Sequence, residues 1–297
     1  MKYLMLVLLV WSYLPGLLHG SCSISTQQDR YFTHHARREM YERARQAYAA
    51  GDYESAVNWL RRAAAAGHTV AQKDLGDCYF YGTMVEQDYE AALRWYRTAA
   101  VGGNPEARFS LGQMYEYGIG IPQDYEQALD WYRRSAIVGS SEAMIHLGGM
   151  YLFGEGVDTD VDEAILWFTR AAEAGDVRAL YDLGVIYEAG RGVQRDYETA
   201  LSYYLQAAEA GNPRARCKLG SLYQRGEGVD QDLAEAARWF LLAAESGDAR
   251  GQYEYGLMLY WGEGAERDEE EALRLLQTAS EAGYTPARTF LEELDDR

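Results

Sequence analysis

One pattern returns every 36 residues through most of this chain. Ala71, Ala107, Ala143, Ala179, Ala215, Gly251 and Ala287 follow one another at that spacing without an insertion. Four residues after each of the first six comes Leu75-Gly76, Leu111-Gly112, Leu147-Gly148, Leu183-Gly184, Leu219-Gly220 or Tyr255-Gly256. A loop glycine follows (Gly82, Gly118, Gly154, Gly190, Gly226, Gly262), then an aspartate (Asp88, Asp124, Asp160, Asp196, Asp232, Asp268) and, in most units, an aromatic pair such as Trp131-Tyr132. A fixed period of this length restricts the chain to an array in which each unit buries its apolar face against its neighbours.

Each recurring residue has a mechanical reading. Apolar residues at helical spacing predict a first helix from the Ala to the loop glycine. Gly76 and its equivalents fall inside that helix, where glycine costs about 1 kcal/mol relative to alanine, so a close helix-helix contact is expected there. The loop glycines supply positive φ for a tight reversal. The aspartates should cap the second helix, with Gln127, Glu163, Glu235 and Glu271 placed three residues on, as in a capping box. Ala99-Ala100 and its copies keep the second helix slim where the next hairpin packs.

These residues resemble the Sel-one-like repeat family, which is related to the tetratricopeptide repeats. The resemblance implies an all-α fold: a right-handed superhelical α/α solenoid of antiparallel helix hairpins. Six complete units span residues 71–286. Before them, Gly51-Asp52-Tyr53, Ala56, Trp59, Ala63-Ala64 and Gly67 keep the phase of a second half-unit, so 36–70 reads as a degenerate tetratricopeptide-like N-terminal cap. Residues 287–297 read as a C-terminal capping helix with Phe290 and Leu291 facing inward, and 21–35 as a polar linker. Departures include Met84 in place of the second loop glycine and Leu275-Leu276 in place of the aromatic pair.

Residues 1–20 differ from the rest. Lys2 precedes an apolar run from Tyr3 to Leu18, and small residues follow, the pattern of a cleaved secretory signal. An uncleaved anchor is the alternative, although the run is short of the roughly 20 residues of a membrane span. Cys22 is a candidate for lipid attachment, against which His19 stands where Leu, Val or Ile is usual. The expected location is periplasmic or secreted, with outer-membrane association through Cys22 left open and no transmembrane segment after signal removal. Cys78 and Cys217 lie four repeats apart, about 40 Å at ~10 Å per repeat, beyond disulfide reach.

The net charge of -18 repels nucleic acid and fits either an extended soluble surface or attraction of a basic partner. No zinc-binding His-Glu-x-x-His, phosphate loop or nucleophile elbow occurs, so neither an enzyme, a metal site nor a cofactor is expected. His34, His35, His68 and His146 read as ordinary surface histidines.

On a helical wheel that counts the leading Ala as zero, positions 0, 4, 7, 8 and 11 share the core arc. Positions 2, 6 and 9 lie opposite, with 10 on the edge of that arc, the face that would line the concave groove of a tetratricopeptide-like stack. There the candidate partner-binding residues are Phe80, Tyr81, Phe109, Tyr117, Ile145, Leu152, Phe153, Tyr181, Val185, Tyr253, Tyr260 and Trp261. So apolar a face on an acidic chain points to a protein or peptide partner. The leading expectation is an exported interaction scaffold. Alternatives are an immunity protein against a periplasm-acting secretion-system toxin and a hydrolase of the similar cysteine-rich group, whose regular paired cysteines this chain lacks.

Overall fold

The computed structural model describes residues 21–295. Among them are fifteen α-helices and no strand. The expected signal peptide at 1–20 lies outside the described residues, as does the side chain of Cys22. Seven hairpins follow in order: α1 (Ser21–Ala49) with α2 (Tyr53–Ala65), α3 (Thr69–Tyr81) with α4 (Tyr89–Val101), and α5 (Pro105–Tyr117) with α6 (Tyr125–Ala136). Next come α7 (Ser141–Phe153) with α8 (Val161–Glu173), and α9 (Val177–Ala189) with α10 (Tyr197–Glu209). The last are α11 (Pro213–Arg225) with α12 (Leu233–Glu245), and α13 (Ala249–Trp261) with α14 (Glu269–Glu281), followed by α15 (Thr285–Asp295). Odd-numbered members are called A helices and even-numbered ones B helices. The chain divides into two compact units, Met1–Ala107 and Arg108–Arg297.

Helix ends are set as the sequence dictates. Asp88 accepts from the Ala91 N–H at 2.9 Å, and Asp124, Asp160, Asp196, Asp232 and Asp268 cap their B helices in the same way. The capping box is half made: the Glu235 and Glu271 side chains pair with Arg238 and Arg274 instead of reaching back. The A helices have caps that the sequence reading passed over. Asn104, Ser140, Asp176, Asn212 and Asp248 accept from their first turns, and at α3 the ring of His68 does so through Nδ1.

Gly156 shows why the second loop position excludes a side chain. At φ +71° a Cβ there would meet the Tyr125 carbonyl carbon at 2.5 Å. Met84 adopts the same left-handed backbone at φ 64°, as an L side chain seldom does.

The core of the second unit is a row of buried side chains running from hairpin to hairpin, including Leu129, Tyr132, Leu147, Met150, Phe168 and Leu183. In the first unit Leu60, Ala63, Ala71 and Leu75 do the same. At the C-terminus α15 closes over the last hairpin with Ala287 buried and Phe290 edge-on to Tyr260 at 5.5 Å. The segment 21–35, expected as a linker, is helical and continuous with α1. No Gly or Pro interrupts the chain between Ser21 and Ala50, so nothing stops the helix. Cys78 and Cys217 are buried and unpaired, and no helix of the described residues is long and apolar enough to cross a membrane.

Candidate protein-binding face

The mid-helix glycines hold the key to the A-helix face. A Cβ on Gly76 would lie 2.6 Å from the Tyr96 ring, on Gly112 2.5 Å from Tyr132, and on Gly184 2.5 Å from Tyr204. Gly148 and Gly220 meet Phe168 and Phe240 in the same way, at 2.8 and 2.7 Å. Each B-helix ring therefore lies flat across its A-helix backbone. In the last hairpin Leu276 takes the ring's place, and Gly256 has more room, 3.1 Å to the Leu276 Cγ.

Where the ring is tyrosine, its hydroxyl crosses the A helix and ends on a carboxylate. Tyr96 donates to Asp77 at 2.8 Å, Tyr132 to Glu116 and Tyr204 to Glu188. A cationic or imidazole group completes each cluster. His146 on α7 sits 2.9 Å from Glu116, Lys218 on α11 reaches Glu188 at 2.7 Å, and Lys73 reaches Asp77 at 2.8 Å from one turn away. Where the ring is phenylalanine the carboxylate is absent too: Leu152 and Gln224 hold the register of Glu116 and Glu188.

These contacts set the electrostatics. Burial would raise the Glu116 carboxyl, but hydrogen bonds from His146 and Tyr132 outweigh it and hold it below the usual range. Burial, then the neighbouring carboxylate, pushes the Tyr132 and Tyr204 phenols well above theirs. His146 is thus not an ordinary surface residue, since it also stacks on Tyr132 at 4.9 Å. Neither is His68, which caps α3, stacks on Tyr41 at 4.6 Å and has its pKa lowered by burial. Part of the signal for these clusters was present in the repeat: Tyr132 and Tyr204 have an acid 16 residues earlier where Phe168 and Phe240 have none, whereas Tyr96 has Phe80 there and takes its acid, Asp77, from 19 residues earlier.

The twelve expected binding residues divide by wheel position. Those at position 10 project outward: Tyr81, Tyr117, Phe153 and Trp261 are 68, 56, 61 and 56% exposed. Those at positions 2, 6 and 9 are half-buried. Phe109 packs on Tyr132 and His146, Tyr181 on Tyr204, and Tyr253 on Tyr284. Phe80 lies among Tyr81, Tyr89 and Tyr96, and Tyr260 lies between Trp261 and Phe290. Ile145 and Leu152 rest on one core cluster and Val185 on another. Within the second unit the exposed members Tyr117, Phe153 and Trp261 share one register, at the C-terminal ends of A helices. Among the described residues no group of histidines, cysteines and carboxylates is arranged to hold a metal ion.

Hairpins tied by glycine-ring contacts, with variable side chains on one face, define a helical-repeat scaffold. The chain belongs to the Sel1 repeat family, whose repeat matches seven times, at residues 39–68, 69–104, 105–140, 141–176, 177–212, 213–248 and 249–284. The first match falls in the segment read as a degenerate cap. The chain is similar to a protective antigen present in uropathogenic Escherichia coli strains and displaying an SLR fold, at 39% identity and a TM-score of 0.73. That likeness covers 77% of this chain and 49% of the antigen, so this chain spans about half the antigen's length. It is similar also to a Sel1 repeat protein from Oxalobacter formigenes, at 33% identity and a TM-score of 0.74, covering 82% of this chain and 99% of that one. A search of curated proteins returned no match.

Proposed function

We propose that this protein is an exported scaffold that holds a protein or peptide partner against the A-helix faces of its repeats. The observation that carries the reading is the shared exposure of Tyr117, Phe153 and Trp261. Large aromatic side chains left in water at one register position are the anchors that protein interfaces use. The half-buried Glu116 beside Tyr117 and the net charge of -18 favour a basic partner over an acidic one. The apolar run from Tyr3 to Leu18 supports export to the periplasm or beyond.

A triple variant, Tyr117→Ser, Phe153→Ser and Trp261→Ser, tests the reading. These residues stand clear of the core, so the variant keeps its thermal midpoint within a few degrees. A protein captured from the native envelope by the unaltered chain, and identified by mass spectrometry, is lost by the variant. Equal capture by both overturns the reading.

A further inference from the structure

Wheel position 3 carries a charged or imidazole side chain with a partner on three A helices of the second unit. His146 holds Glu116, and Lys218 holds Glu188. Glu254 is approached at 3.5 Å by Arg250, one turn before it on α13. Asp182 occupies this position on α9, and among the described residues no hydrogen bond or ion pair reaches it. Arg178, the equivalent of Arg250, is drawn away by two hydrogen bonds to Asp176, at 2.9 and 2.6 Å.

The groups that should face Asp182 are missing as well. In the first unit Tyr41, 33 residues before Asp74, donates to that carboxylate at 2.7 Å. The residue 33 before Asp182 is Gly149. The residue 30 before it, which in neighbouring layers is Glu116 or Glu188, is Leu152. Gly149 differs from Gly148 beside it. A Cβ on Gly148 would strike Phe168 at 2.8 Å, whereas one on Gly149 would meet nothing within 4 Å. Packing therefore explains the first glycine of the pair and not the second, which weakens its helix and leaves open space. Burial pushes the Asp182 carboxyl up to about 6, with Arg178 and Arg214 only partly offsetting it and Asp176 adding to it.

We propose that Asp182 and the open space at Gly149 form a niche for an arginine side chain of a bound protein. The proposal rests on the A-helix face being the protein-binding surface, and names the chemistry that the surface selects. A half-buried carboxylate with both oxygens unpaired matches a guanidinium, which offers two parallel N–H groups, better than it matches an ammonium. The chain's net charge of -18 draws such a group in.

Binding of two fluorescein-labelled hexapeptides, identical except that one central residue is arginine or uncharged citrulline, tests this by fluorescence polarisation. The arginine peptide binds at least tenfold more tightly. Asp182→Asn abolishes the difference, Gly149→Met weakens the arginine peptide at least tenfold by filling the space, and Asp162→Asn, on the exposed surface of α8, changes neither. Equal binding of the two peptides, or an arginine preference that survives Asp182→Asn, overturns the niche while leaving the groove reading intact. Failure of both peptides to bind also overturns it, and loss of partner capture in the aromatic triple variant remains the separate test of the groove.

Discussion

The ring of Tyr132 fills the space that any side chain on Gly112 would need, its Cε1 lying 2.5 Å from where a Cβ would stand. The helix accepts the roughly 1 kcal/mol penalty of an interior glycine because the ring can then lie flat on its backbone. Gly112→Ala should therefore destabilise the protein by about 1–3 kcal/mol, the range of overpacked cores. Gly256→Ala should cost clearly less than Gly112→Ala, since its Cβ would stand 3.1 Å from the Leu276 Cγ and 3.3 Å from the Ala272 oxygen, and alanine recovers helix propensity. Urea unfolding of both variants checks the contrast, and equal losses would refute the ring explanation.

The hydroxyl of Tyr132 and the carboxylate of Glu116 act as a pair. Tyr132→Phe removes one donor from a half-buried carboxylate and should cost about 1–3 kcal/mol. Adding Glu116→Leu rebuilds the Phe168 and Leu152 combination of the next hairpin and should recover much of the loss. A double-mutant cycle reads the coupling, and strict additivity would show that the pair is incidental. Because the Glu116 carboxyl is held low in the folded chain, its stabilisation is present above the ordinary carboxylate range and disappears as pH falls through its folded pKa.

Asp182 has the opposite sign. Its carboxyl rises from 3.8 to about 6 on folding, so the folded chain binds this proton more tightly than the unfolded chain does. Stability from this group falls as pH climbs between about 4 and about 6, and the penalty is complete above that window. Asp182→Asn should then stabilise the protein by on the order of 1–3 kcal/mol at pH 7 and by almost nothing at pH 4. Urea midpoints at the two pH values decide it, and a gain of equal size at both would show that the carboxylate is not destabilised by burial.

The scaffold was legible in the sequence because every unit repeats it. The aspartate caps, the loop glycines and the buried alanine pairs stand where the period puts them. The partners of the mid-helix glycines were less legible, since a wheel drawn for one helix shows which residues share a face but not which ring from α6 crosses α5. For the same reason His146 read as solitary, although its partner Glu116 lies 30 residues away on the neighbouring A helix. The half-buried state of Phe109, Tyr181 and Tyr253 was hidden too, because position 2 meets the B-helix ring or the next hairpin. Of the expected face, the structure leaves position 10 clearly open. Helix α1 runs back to Ser21 because polarity alone does not break a helix.

Photocrosslinking shows directly whether partners dock on the A-helix face. Benzoylphenylalanine placed at Phe153, on that face, and at Leu166, exposed on α8, compares the two surfaces in the native envelope. Docking on that face gives a discrete crosslinked protein from position 153 and none from position 166. The same adduct from 166 with none from 153 would contradict it.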